Sequence, residues 1–220
     1  SISEFKEMGY TSEAMANYMT LLGWSVPEGI NERFKISAIS EVFSFEKVNK
    51  ASAKFDWNKL NWLNSQVIHE MSSKTLLDRL DPFFKKNGWT IPSQEWGRNL
   101  VDLIGPSMIL INDGVEQAKP FFEDPPLKED GKNQLAIKES KGILLTILKE
   151  LEKIDYTSFN EEEARDLINQ TTKTCEVKKG LVMKSLRAAL FGTLNGPDLI
   201  KSWVLLSRFR NDRIRISRFI

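Results

Sequence analysis

Asp56-Trp57-Asn58-Lys59-Leu60-Asn61-Trp62-Leu63-Asn64-Ser65-Gln66-Val67 is the stretch whose reading decides the fold. Its aspartate stands where a carboxylate can accept from the free N–H groups of a first helical turn. Leu60, Leu63 and Val67 then recur at i, i+3 and i+7, the spacing of one helical face. The same pattern extends both ways. Upstream, Thr11 or Ser12 can cap a helix carrying Met15, Tyr18, Met19 and Leu22, with Gly23 placed for a left-handed end. Residues 23–31 contain Pro27 and Gly29 and read as a loop, and residues 34–48 as a mixed segment with a short helix around 37–43. Downstream, Ser73 can cap a helix through Leu76, Leu77 and Leu80, with Pro82 expected to kink or break it.

Further on, Ser93 can cap a helix bearing Trp96, Leu100, Leu103 and Ile104, closed by Gly105-Pro106, with another helix expected from residue 107 to about 117. Pro125-Pro126 lies in a charged stretch that suits a boundary. Residues 134–153 read as one long amphipathic helix, and Asn160 with Glu163 forms a capping-box pattern. Residues 178–191 and 197–209 read as a helix pair joined by Gly192-Thr193-Leu194-Asn195-Gly196, with Pro197 suited to the first turn of the second helix. The expectation is an all-α, elongated array of short-linked helices, with short strands allowed in the first 70 residues.

The 220 residues are 41% hydrophobic and 28% charged, an ordinary balance for a folded chain. No apolar run approaches the ~18 residues of a membrane span. Cys175 is alone, which fits a reducing cytosol, and the start at Ser1 reads as a boundary inside a longer protein. The net charge is +1, but it is unevenly spread: residues 113–163 carry 13 acidic and 7 basic side chains, residues 178–220 carry 10 basic and 2 acidic. A basic end on a neutral chain suits a local phosphate-binding surface, or else a solvated face with a frayed tail. The one histidine, His69, has no nucleophile or metal-ligand pattern around it, and no Gly-rich phosphate loop occurs. These residues favour a binding module over a catalyst. An RNA-binding module and a helical protein-binding adaptor or scaffold remain equal on this ground.

Three segments break the tie. Glu4-Phe5-Lys6-Glu7-Met8-Gly9-Tyr10 with Ser12–Tyr18 and Leu21-Leu22-Gly23-Trp24 is the first; Phe45-Glu46-Lys47-Val48 with Ala53-Lys54-Phe55-Asp56 and Lys59–Asn64 is the second; Ser185-Leu186-Arg187-Ala188-Ala189-Leu190 with Gly192 and Gly196-Pro197 is the third. The chain thereby resembles bacterial glutamyl-tRNA synthetases downstream of their Lys-Met-Ser-Lys-Ser loop. The resemblance implies a stem-contact part at residues 1–72 and two helical anticodon-binding parts at 73–126 and 127–220. It implies tRNA(Glu) as partner, a cytoplasmic monomer, and ATP with magnesium used by the whole enzyme. The catalytic motifs lie outside this chain, so no cofactor and no catalytic residue is expected within it.

For sites, the resemblance points to Arg187, Gly196, Pro197 and Leu199 at the anticodon loop. There a guanidinium can pair with phosphate or stack on a base, the start of a helix can face an anion, and a leucine can pack on a splayed base. Lys54, Lys59 and Asn64 are candidates for the stem. Ser107 falls where relatives that reject tRNA(Gln) carry an arginine beside a proline at a helix start; a serine there implies acceptance of tRNA(Gln) as well as tRNA(Glu). Trp24, Trp62, Leu63 and Tyr18 read as core.

Overall fold

A computed structural model describes residues 1–49 and 54–220; Ala53 of the second matching segment lies outside the described residues. The chain separates within a helix into two compact units, Ser1–Gln117 and Ala118–Ile220.

The first unit begins with α1 (Ile2–Met8), α2 (Ser12–Gly23) and a short α3 (Ile36–Ile39), followed by a 3-10 turn at Phe45–Lys47 and α4 (Trp57–Glu70). The expected caps form: Thr11 accepts from the Ala14 amide, and Asp56 from those of Asn58 and Lys59. Packing of α2 on α4 buries Tyr10, Ala14, Tyr18, Leu60, Leu63 and Val67. Each fully buried leucine there contributes about 1.5–3 kcal/mol. Gly23 departs from expectation: it is the last helical residue, and the chain leaves through extended Trp24. In place of short strands, the described residues hold one isolated antiparallel bridge, Trp24 to Val48. Trp24 and Tyr18 are buried as expected, but Trp62 is 41% exposed, because the core side of α4 is already taken by Leu60, Leu63, Asn64 and Val67.

The unit continues through α5 (Ser73–Lys86), α6 (Gln94–Ile104), a 3-10 turn at Gly105–Ser107 and α7 (Ile111–Phe122), whose last residues belong to the second unit. Ser72, not Ser73, caps α5, and the helix runs through Pro82 without ending. Ser93 caps α6 as expected. The helix expected from Ser107 starts instead at Ile111, because Pro106 and Ser107 are held in the 3-10 turn.

Residues before and after α4–α6 are tied together. The Ile111 amide donates to Gly9 O at 3.0 Å, and Asn112 to Glu7 O at 2.9 Å. Gly9 makes this closure possible: its φ is +99°, and a Cβ there would lie 3.0 Å from the Asn112 nitrogen. The stretches expected as separate stem-contact and first anticodon parts thus share one packed unit up to Gln117.

The second unit holds α8 (Glu129–Leu135), α9 (Lys138–Leu151), α10 (Glu161–Thr174), α11 (Lys179–Phe191), α12 (Leu199–Ser207) and α13 (Asn211–Ser217). The single long helix expected over 134–153 is two, broken at Ala136-Ile137. There Ser140 donates to Gln134 O and meets Ser185 of α11 at 2.9 Å, a buried polar knot at the corner. The Asn160–Glu163 capping box is complete in both directions. The core gathers Ile143, Leu144, Ile147, Leu167, Val182, Leu186, Leu190, Trp203 and Ile216.

Candidate nucleic-acid interface

The loop between α11 and α12 is built by backbone approach. Gly192 ends α11 at φ +70°, and its carbonyl accepts from the Lys128 amide at 2.8 Å. A Cβ on Gly192 would sit 2.3 Å from Pro126 O, and one on Gly131 would sit 2.4 Å from Gly192 O. Asp130 then fixes the next two residues. One carboxylate oxygen accepts from the Leu194 amide at 2.8 Å and the Thr193 hydroxyl at 2.9 Å. The Leu194 N–H, then the Thr193 hydroxyl, hold the Asp130 carboxyl below its ordinary value. Reading the sequence missed Asp130, because its partner lies 64 residues away and no local pattern marks it.

Arg187 projects from α11 across this loop. Its Nη2 donates to Pro197 O at 2.8 Å, and its Nη1 would lie 3.1 Å from a Cβ on Gly196, so the absent side chain makes room for the guanidinium. One acceptor leaves the remaining N–H donors of the planar fork available. Burial pushes the Arg187 pKa down and the nearby Asp198 carboxylate opposes this; the group remains a cation at neutral pH. Gly196 and Pro197 are exposed beside it. Two details differ from expectation. Pro197 stands before the helix: Asp198 is the N-cap, accepting from the Lys201 amide at 2.9 Å, so a carboxylate already fills the place an anion would take. Leu199 is 3% exposed and belongs to the core.

The basic end also sorts itself. Arg213 and Arg215 are buried, with guanidinium groups on helix-end carbonyls: Arg213 on Leu151 O (2.6 Å) and Ile154 O (3.0 Å), Arg215 on Leu190 O (2.8 Å) and Glu123 O (2.9 Å). Arg218 pairs with Asp124 and Arg210 with Glu152. The tail is therefore neither frayed nor wholly available to phosphate, since cations are favoured at carbonyl-rich helix ends.

In the first unit, Ser107 is exposed in its 3-10 turn, 2.6 Å from Gln117 Oε1 and 2.9 Å from Ile104 O. Its single proton serves one of these at a time. Of the stem candidates, Asn64 is fully buried; it accepts from the Thr11 amide and hydroxyl and donates to Ile109 O at 2.6 Å, so its role is structural. Lys59 pairs with Glu32 at 2.9 Å. Lys54 is exposed, beside a pocket also lined by Glu28, Glu32 and Asp56, an acidic setting for a phosphate contact. His69 lies 3.2 Å from Met108 O. Among the described residues no group of three or more His, Cys, Asp or Glu side chains could hold a metal, and no helix is long and apolar enough to cross a membrane.

Residues 75–219, which include this loop and Ser107, match the family model of the anticodon binding domain, and the chain belongs to that family. Its relatives include glutamate–tRNA ligases. That of Prochlorococcus marinus (strain NATL2A) is 78% identical over 220 residues, covering 100% of this chain and 46% of the relative. That of Synechococcus sp. (strain CC9311) is 54% identical over 218 residues, covering 99% and 46%. The chain thus spans about half the length of these relatives. A glutamate tRNA ligase from Elizabethkingia meningosepticum CCUG26117, solved in complex with its amino acid, has a TM-score of 0.88 at 24% identity over 98% of this chain and 42% of that one, which establishes the all-helical fold. A glutamate-tRNA synthetase from Elizabethkingia anophelis gives 0.83 at 25% identity.

Proposed function

We propose that this chain is the tRNA-recognising part of a glutamate–tRNA ligase and reads tRNA(Glu) through its anticodon. The observation that carries the reading is the coincidence of the anticodon-binding match with the exposed, rigidly held loop of Gly196 and Pro197 under Arg187. In this reading residues 1–72 lie against the tRNA stem, while residues 73–126 and 127–220 serve the anticodon. Activation of glutamate, with its ATP and magnesium, falls to the part of such a ligase that this chain does not span. The protein acts in the cytoplasm as a monomer with tRNA as its partner. The test is a salt titration of the chain with tRNA(Glu) and with a tRNA of unrelated anticodon. Steep salt dependence with preference for tRNA(Glu) supports the reading; equal, weak binding of both sinks it.

Arg187→Ala is expected to weaken tRNA(Glu) binding by about 1–3 kcal/mol while leaving the melting curve in place, because Asp130 still holds the loop. Normal binding, or early melting, would make Arg187 purely structural. Ser107 concerns the third anticodon letter, C in tRNA(Glu) and G in tRNA(Gln). A serine hydroxyl donates or accepts and suits either base, whereas an arginine offers donors only and crowds a purine. The unsubstituted chain is therefore expected to bind both tRNAs comparably, and Ser107→Arg to favour tRNA(Glu), as read by competition binding. Strong preference for tRNA(Glu) without the substitution would defeat the idea.

A further inference from the structure

Among the ten basic residues of 178–220, two sets contrast. Arg210, Arg213, Arg215 and Arg218 are committed to carboxylates or helix-end carbonyls. Among the described residues no ion pair holds Lys184 or Lys201, and both are exposed.

The backbone places both close to Arg187. Lys184 stands three residues before it on α11, where i and i+3 side chains are neighbours on one face. The helix itself contributes no acid, since Lys179–Phe191 contains no Asp or Glu, and a Cβ on Gly180, one turn further back, would meet nothing within 4 Å. Lys201 lies in the first turn of α12, its amide bonded to Asp198, next to the Pro197 carbonyl that Arg187 holds. Asp198, the carboxylate beside this line, is engaged as a helix cap.

We infer that Lys184 and Lys201 form, with Arg187, a phosphate track that seats the RNA backbone beside the Gly196-Pro197 loop. The inference rests on the tRNA-binding reading and deepens it: Arg187 faces the loop's bases, and the two lysines position the strand without reading its sequence. A lysine ammonium is a point charge with mobile donors and suits that role.

The test uses the whole chain, tRNA(Glu), and the same tRNA with a scrambled anticodon. Binding is measured from low to moderate salt for the unsubstituted chain, Lys184→Gln, Lys201→Gln, the double variant, and Lys173→Gln on α10 as control. Each track substitution is expected to reduce the slope of log K against log salt by about 0.7–0.9, the double by about twice that, and to weaken both tRNAs by the same factor. The control slope stays unchanged, and all melting curves coincide. Normal tRNA(Glu) binding with unchanged slopes in the double variant overturns the track alone. Loss confined to the natural anticodon also overturns it, since that would make the lysines base readers. Failure of the unsubstituted chain to bind either tRNA overturns the functional reading and the track with it.

Discussion

Arg213→Ala is expected to destabilise residues 118–220 by about 3–5 kcal/mol, the usual cost of removing one partner from a buried ion pair. Arg213 is 4% exposed and Asp212 fully buried. Beyond the ion pair, the guanidinium satisfies the Leu151 and Ile154 carbonyls where α9 ends. Alanine strands all of these at once. The Asp212 carboxylate would keep only the Trp203 indole, at 2.9 Å, and the backbone N–H of residue 213. The pH dependence carries a sign. Burial already raises the Asp212 carboxyl above its ordinary value, against the pull of Arg213. A raised folded-state pKa means that stability is lost as pH rises from the unfolded value through the folded one. Without Arg213 that loss grows, so the difference between the variant and the unsubstituted chain should shrink toward acid. Urea midpoints at neutral and mildly acidic pH measure both effects. A neutral-pH change below ~1 kcal/mol would show that the pair contributes little.

Gly192→Ala is expected to cost about 2–4 kcal/mol, combining a left-handed backbone for a residue with Cβ and an overpacked contact. The contact is severe because the Cβ would meet backbone, Pro126 O at 2.3 Å, which no rotamer change relieves. The same change displaces the bond from Lys128 to Gly192 O and so the loop beneath Arg187; tRNA affinity should fall together with stability. Gly142→Ala is the matched control, a helical glycine with open space around its Cβ, where alanine stabilises by about 0.5–1 kcal/mol. Equal thermal midpoints for the two variants would refute the account of Gly192.

Many caps and apolar spacings were legible because they are local. Thr11, Asp56, Ser93 and the Asn160–Glu163 box each act within one turn, so sequence alone exposes them. Errors gathered where distant contacts compete with local preference. The helix over 134–153 breaks because Ser140 turns inward to Gln134 and to Ser185, 45 residues away. Asn64 reads as a surface polar residue on a matched segment, yet its amide joins Thr11 to Ile109 and is wholly buried. In the candidate interface Arg187, Gly196 and Pro197 were legible through resemblance; Asp130, which holds their loop, was not.

By itself the sequence determined that this chain is helical, where most helices start, and which family it resembles. Those properties depend on hydrogen bonds and apolar repeats spanning a few residues. Tertiary structure alone decided which charges remain available. Composition places a basic surface at the C-terminal end, but arginines at 213 and 215 turn inward to helix-end carbonyls, while Lys184 and Lys201 stay exposed. A guanidinium on a short terminal helix is drawn to the helix-end carbonyls the fold brings near it, and those come from the ends of α7, α9 and α11, distant in the chain.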